Sequence, residues 1–330
     1  MILVTGGTGL TGSHLLLYLT RKELKVRAIF RSEESLNKTK NLFKYYSAEP
    51  EKLWTNIEWI PADITDITSL EPVFEGLTQV YHTAAKVSFR PKDKDILMQT
   101  NVEGTANLLH LAIDNKIQKF LHVSSIAALG SYDNPITEKT HWNWKETHSD
   151  YALSKYLSEM EVWRAGQEDL PVVIINPGVI LGAHFWDTGT GQIVQKIDNG
   201  LRFYPPGSNA FVDVWDVVKI MTELMQRDIS NESFIVSGFN QTYHDFLSAI
   251  AKALGKNSPQ TKLPYWLAQI LYLTGRLTGK GITSKAMLKT LFQQPQYSSQ
   301  KLVNTLDYKF IPFEASIQNL TTQYRKVFKQ

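Results

Sequence analysis

The chain has 330 residues, 43% of them apolar and 20% charged, the composition of an ordinary globular protein long enough for one large or two modest domains. A net charge of +3 is too small, and reads as too evenly spread, to argue for a nucleic-acid partner, while the lack of cysteine excludes a disulfide framework, a thiolate metal site and a thiol nucleophile. An apolar strand beginning at residue 2 leaves no room for a signal peptide and no apolar run reaches membrane-spanning length, so the expected location is cytoplasmic, with no membrane span.

Ile2-Leu3-Val4 suits one buried strand, and Ser13 to Leu19 reads as a helix. Between them lies Thr5 to Gly12, TGGTGLTG. A strand, a glycine turn and a helix N-terminus make a phosphate site, because the amides of the first helical turn point at the anion and the helix dipole favours negative charge there. Gly7-x-Gly9-x-x-Gly12 fits the dinucleotide fingerprint, in which glycines allow a tight turn, close approach of the pyrophosphate and tight helix–strand packing.

Lys25 to Phe30 is a second strand, ended by Arg31-Ser32, and a mostly polar helix follows from about Ser35 to Ser47. Further strands are expected at Ile57–Ile60, Gln79–Thr83, Lys119–Val123 and Val172–Asn176. Helices are expected near Thr68–Glu75, Lys94–Asn115 and Asp150–Ala165. This alternation indicates parallel pairing through right-handed crossovers, hence an α/β fold with a doubly wound parallel sheet. After Pro177 the pattern loosens, with short strands at Phe211–Val214 and Phe234–Val236 and helices at Trp215–Gln226, Tyr243–Leu254, Pro264–Leu277 and Ser284–Phe292. The expected division is a dinucleotide-binding domain over 1–178 and a smaller, mainly helical substrate-binding region over 179–330, from which strands near 211–241 return to the first domain. The apolar run Tyr265 to Leu273 is expected to pack against the sheet domain or to cover the pocket, with contact to a membrane or a greasy substrate as the alternative.

Tyr151-Ala152-Leu153-Ser154-Lys155 places a phenol and an ammonium on one helical face. A free tyrosine, with a pKa of about 10, is a poor acid or base near neutrality. A neighbouring ammonium favours the phenolate and draws that pKa toward the working range. Alone, such a pair is common on amphipathic helices; here it accompanies the glycine turn and Ser124-Ser125 at the end of the fifth strand. The eight histidines show no metal-ligand spacing, so no metal is expected.

In addition to TGGTGLTG, the chain carries Asp63 after the third strand, HTAA at 82–85, NVEGT at 101–105, SSIAALG at 124–130, YALSK at 151–155 and NPGVILG at 176–182. In this order they make it resemble the extended short-chain dehydrogenase/reductases, a Rossmann-fold group, and most of all the dihydroflavonol reductase-like and 3β-hydroxysteroid dehydrogenase-like branch. The resemblance implies Tyr151 as proton donor to a carbonyl (or base in the reverse direction), Lys155 as the group that lowers its pKa and binds the nicotinamide ribose, and Ser125 as hydrogen-bond donor to the reacting oxygen. It implies further cofactor contacts at Thr5, Gly6, Gly7, Gly9, Leu10, Thr11, Gly12, Asp63, Ile64, Thr83, Ala84, Ala85, Asn101, Ser124, Pro177, Gly178 and Val179. For Asn101 a helix-packing role, and for Asp63 a capping role, stay open. A homodimer through helices 94–115 and 150–165 is likewise implied by resemblance.

Arg31 stands where NAD enzymes carry an acidic residue for the ribose hydroxyls, and a guanidinium there suits a 2′-phosphate. With Ser32, and with Lys38 where reductases of this branch place a second cation, this favours NADP(H); Glu33 and Glu34 keep NAD(H) as the alternative. Related sugar-nucleotide enzymes carry an arginine just before the strand that here follows Ser208-Asn209-Ala210, so a substrate diphosphate would lack one charge partner. The loops are instead aromatic, with Phe89, Trp142, Trp144, Phe185, Trp186, Phe203 and Tyr204. The expected partner is thus a small apolar or aromatic carbonyl compound, with Lys86, Phe89, Phe185, Trp186 and Tyr204 at its pocket. Two alternatives are a nucleotide-sugar epimerase or dehydratase with tightly bound NAD(P), and a dinucleotide-sensing regulator, against which the Tyr151/Lys155 pair argues.

Overall fold

In a computed structural model, residues 1–130, 134–279 and 281–328 are described. In chain order the strands are β1 Ile2–Thr5, β2 Val26–Phe30, β3 Ile57–Pro61, β4 Gln79–His82, β5 Lys119–Val123, β6 Val172–Pro177, β7 Val179–Leu181, β8 Phe203–Tyr204, β9 Ser208–Asp213, β10 Glu232–Val236, β11 Phe239–Thr242 and β12 Thr261–Lys262. The longer helices are α1 Leu10–Arg21, α2 Glu33–Tyr46, α3 Gly104–Asp114, α4 Asp150–Gln167, α5 Gly189–Asp198, α6 Val214–Gln226, α7 Tyr243–Leu254, α8 Tyr265–Thr278 and α9 Phe313–Phe328.

Seven strands form one parallel sheet in the order β10-β6-β5-β4-β1-β2-β3. Its central strands are buried on both faces, which is why they read as continuous apolar runs rather than alternating ones. Leu3, Val80, Phe120, Val172 and Ile174 meet α3 and α4 through Leu108, Leu109 and Val162. Val4, Tyr81, Leu121, Val173 and Ile175 meet α1 and α6 on the other face through Leu15, Leu16, Val217 and Met221. The result is the doubly wound Rossmann arrangement. The chain leaves β1 for β2 and β3 on one side and returns to β4, β5 and β6 on the other, so the sheet order reverses between β1 and β4, where such folds open a crevice at the strands' carboxyl ends.

Strand β10 comes from residues 232–236 and forms the sheet edge beside β6. A second, three-stranded sheet, β11-β9-β7, lies with α5, α7 and α9 around Leu181, Trp186, Phe211, Phe246, Ile250, Ile317 and Leu320. Neither β7, β11, α5 nor α9 is read from the sequence. Helix α5 opens in Gly189-Thr190-Gly191, which mimics a loop, and β7 is three residues long. Helix α9 does carry a periodic stripe, Ile317, Leu320 and Tyr324, beneath an otherwise polar surface. The helical stretch at 94–115 is interrupted by a wide turn over Gln99–Glu103, which displaces Asn101 from the regular helical register. Helix α8 packs on Leu263, Ile282 and Leu288 in a small cluster of its own and not on the large sheet.

Glycines make the β1–α1 turn possible. Gly6 has φ +67°, in the left-handed region, and an added Cβ would sit 2.5 Å from the Ala84 nitrogen. A Cβ on Gly12 would lie 2.2 Å from the Gly6 carbonyl oxygen, a backbone atom that cannot swing away. Replacing helical glycine by alanine normally gains up to about 1 kcal/mol in propensity, whereas overpacking a tight site costs about 1–3 kcal/mol. Gly12→Ala is therefore expected to lose stability in urea unfolding, by about 1–2 kcal/mol; unchanged or increased stability would contradict this packing.

Candidate active site

Helix α4 carries the candidate residues Tyr151 and Lys155. Ser149 caps it, its Oγ accepting from the Ala152 amide at 3.1 Å. Four-residue spacing then aligns Tyr151, Lys155 and Glu159 on the face turned to β5 and β6. Lys155 is 1% exposed, and its Nζ donates to the Val123 carbonyl at 3.0 Å and to His122 Nε2 at 3.2 Å. Because an ammonium only donates, His122 Nε2 is the acceptor and the ring is neutral. Burial, then the charge of Lys155, holds the His122 pKa well below the usual value. Burial also lowers Lys155 to about 8, against the opposing pull of Glu159. Glu159 is in turn raised to about 7 by burial, while Asn176, whose Nδ2 donates to Oε1 at 2.5 Å, and Lys155 favour its ionised form.

Tyr151 stands one turn before Lys155, edge-on to Phe89 at 5.6 Å between ring centroids. Burial pushes its phenol above the ordinary value, and a hydrogen bond with Ser125 pulls the other way. Lys155 is bonded to β5 and is not among the groups that shift the phenol, whose burial dominates. Ser125 caps the short turn at Ile126–Ala128, its Oγ accepting from the Ala127 amide at 3.1 Å.

Tyr151, Lys155, Ser124 and Ser125 line a cavity of about 760 Å³ together with Gly6, Gly9, Leu10, Thr11, Gly12, Thr83, Ala85, Pro177, Gly178 and Val179. A second cavity of about 340 Å³ is lined by Arg31, Ser32, Asp63, Ile64 and Ala84. Gly6, Gly9, Thr83 and Ala85 border both, so the two form one trough across the carboxyl ends of β1, β2, β4 and β5. A dinucleotide fits this trough. Gly9 occupies the N-cap of α1 without a capping side chain, and the first-turn residues Leu10 to Gly12 border the cavity, a cradle suited to a pyrophosphate. Arg31 Nη1 lies 3.7 Å from Asp63 Oδ2 at the far end.

Some expected contacts lie elsewhere. Gly7 packs beneath the turn, where an added Cβ would meet Leu16 at 2.8 Å. Thr5 is buried, its hydroxyl 2.7 Å from His82 Nδ1. Asn101 ties the post-β4 loop to α4: its Oδ1 accepts from the Lys86 amide at 2.7 Å and its Nδ2 donates to Ser154 Oγ at 2.8 Å. Lys38 does not border the trough but pairs with Asp187 at 3.3 Å and Glu34 at 3.5 Å. Of the proposed substrate residues, Phe89 and Phe185 line the larger cavity. Lys86 lies on the smaller one. Trp186 is 7% exposed, edge-on to Tyr324 at 5.2 Å, inside the smaller region, and Tyr204, half-buried, packs on His244 at 4.4 Å and against the same apolar cluster.

Sequence reasoning missed Glu159, although its spacing four residues after Lys155 continues the same face. It also missed Asn209, Met287, Thr290 and Tyr297, which close the cavity's outer wall from distant stretches of chain and carry no local signal. Among the described residues no helix is long and apolar enough to cross a membrane, and no cluster of three or more potential metal ligands occurs.

A family model described as the NAD dependent epimerase/dehydratase family matches residues 2–237. Over 273 residues the chain is 30% identical to sterol demethylase protein B of Methylococcus capsulatus, covering 81% of this chain and 78% of that one. It is 28% identical over 282 residues to a putative dihydroflavonol 4-reductase of Synechocystis sp., covering 80% and 75%. The crystal structure of gox2253 superposes with a TM-score of 0.83 at 26% identity, covering 100% of this chain and 99% of that one.

The buried pair yields a test. Removing the charge of Glu159 withdraws the influence that raises Lys155, so in Glu159→Gln the lysine pKa falls below its value of about 8. Its ammonium is then lost at lower pH, and the alkaline limb of the kcat/KM profile moves toward neutrality. A profile superimposable on that of the unmodified protein would contradict the coupling.

Proposed function

We propose that this chain, which belongs to the NAD dependent epimerase/dehydratase family and has relatives named as reductases, is an NADP(H)-dependent oxidoreductase acting on the carbonyl or alcohol of a small apolar or aromatic substrate. The observation that carries this reading is the placement of Tyr151, Ser125 and Lys155 on one wall of the cavity bordered by the glycine turn. A bound nicotinamide dinucleotide supplies the hydride to the carbonyl carbon in reduction and takes it back in oxidation.

Tyr151 gives its hydroxyl proton to the substrate oxygen as negative charge develops there, and Ser125 donates a hydrogen bond to the same oxygen. Lys155, fixed by Val123 and His122, holds a positive charge within the wall from which the phenolate is formed. Burial keeps the phenol protonated before reaction, so in reduction the side chain begins in the donor form. Proton transfer by a positioned group contributes a factor of about 10²–10⁴. Tyr151→Phe should lose turnover by that factor while binding NADPH with unchanged affinity; retained turnover would remove Tyr151 from this role.

The apolar substrate class is supported by Phe89, Val87, Ile180, Phe185 and Met287 on the cavity wall. It is also supported by relatives named as a sterol demethylase and a dihydroflavonol reductase. A nucleotide-sugar epimerase would need cations for a substrate diphosphate. Among the described residues bordering the larger cavity there is no arginine, and Lys289 is paired with Glu146 at 3.3 Å. Arg31 supports NADP(H) over NAD(H), being 68% exposed at the smaller cavity and only loosely tied to Asp63. A charge-assisted contact contributes about 1.5–3 kcal/mol, so Arg31→Ala should weaken NADPH by about 10–100-fold and NADH little; equal weakening of both would overturn the preference.

A further inference from the structure

Charge along this chain is less even than its total suggests. Between Asp245 and Asp307 there is no aspartate or glutamate, while eight lysines and arginines occur, out of 32 acidic and 35 basic residues in the whole chain. Helix α8 lies within this stretch, and its only charged residue is Arg276. Among the described residues, one of its apolar sides packs against the fold and another is exposed. Leu267, Ala268 and Tyr272 pack on Leu263, Ile282 and Leu288. Trp266, Ile270 and Leu273, spaced four and three residues apart, form a stripe that is 62%, 48% and 59% exposed, with Tyr265 beside it at 54%. Around it Lys262, Arg276 and Lys285 are exposed and form no salt bridge among the described residues.

This face adjoins the mouth of the catalytic cavity. Thr283, just beyond α8, donates its hydroxyl to the Phe89 carbonyl at 2.6 Å. Phe89 and Val87 line the cavity and are themselves 42% and 60% exposed. The short helix Lys285–Thr290 lines it from the other side through Ala286 and Met287. Apolar stripe, exposed rim and cavity mouth thus stand together.

We propose that this face seats the protein on an anionic lipid surface, α8 lying in the plane of the headgroups with the cavity mouth beside it. An exposed row of tryptophan, isoleucine and leucine gains from leaving water, and aromatic residues at a helix end suit the boundary between headgroups and acyl chains. A basic surround, set in a stretch of sequence that holds no acidic residue, selects negatively charged lipid. The seating does not depend on the reaction proposed above. If that reaction holds, the mouth meets substrate dissolved in the bilayer, which accords with an apolar cavity.

The test is sedimentation of the full chain with vesicles of phosphatidylcholine alone and with vesicles of phosphatidylcholine mixed with phosphatidylglycerol. Binding to the mixed vesicles should be stronger by at least about tenfold, as a few basic side chains near an anionic surface imply, and should fall as salt is raised. Trp266→Glu with Ile270→Glu should abolish it, and so should Lys262→Glu with Lys285→Glu, each variant keeping the circular-dichroism spectrum and NADPH affinity of the unmodified protein. Equal binding to both vesicles, no binding to either, or variants that sediment as the unmodified protein does would each overturn the proposal. So would a dimer that Trp266→Glu with Ile270→Glu dissociates without any vesicle binding, since that assigns the face to a second copy of the chain.

Discussion

An ammonium buried between a helix and a sheet is the constraint on which this site rests. Lys155 is 1% exposed, a position that disfavours its charge, and the surrounding backbone and side chains offset that cost. The Val123 carbonyl at the end of β5 and the neutral His122 ring accept its protons, and Glu159, one helical turn on, supplies the opposing charge. Asn176 on β6 holds Glu159 and also donates to the Ser125 carbonyl at 3.1 Å. One network therefore fixes the register of α4 against two strands and sets the distance between the serine and the tyrosine. Fold and chemistry are coupled at this point: a shift of α4 that would misplace Tyr151 would also strip Lys155 of its partners.

The opposite wall is set by steric rather than electrostatic means. Gly6 passes so close to Ala84, and Gly12 to Gly6, that no side chain can stand there, and this brings the amino end of α1 onto the trough beside the β4 end. Because the sheet order reverses between β1 and β4, no crossover helix covers the crevice between them. Thr83 and Ala85 form its floor on both sides of the junction between the cavities. The two walls come from stretches of sequence about 150 residues apart, yet both depend on the same central strands.

Much of this was legible in the sequence because the parallel sheet imposes strong local patterns. Apolar runs bounded by glycine, proline or serine mark β1, β5 and β6. Tyr151 and Lys155 were legible because helical spacing is itself a contact rule. What escaped was set by tertiary packing. Trp186 and Tyr204 look like pocket aromatics in one dimension, but α7 and α9 arrive from far along the chain, enclosing Trp186 and covering one side of Tyr204. Asn101 was an open choice between cofactor contact and packing, and the wide turn at 99–103 directs it to Lys86 and Ser154. The raised phenol of Tyr151 could not be read either, because burial is a property of the assembled cavity.

The central claim is that one trough holds a dinucleotide from Arg31 to Tyr151, its pyrophosphate over Gly9 to Gly12 and its nicotinamide against Ser125 and Tyr151. A crystal structure of the protein grown with NADPH tests this most directly. The account predicts phosphate oxygens within hydrogen-bond reach of the first-turn amides of α1, the 2′-phosphate beside Arg31, and the nicotinamide ring facing the Tyr151 hydroxyl. A dinucleotide bound elsewhere, or bound with its nicotinamide at the Arg31 end, would contradict it.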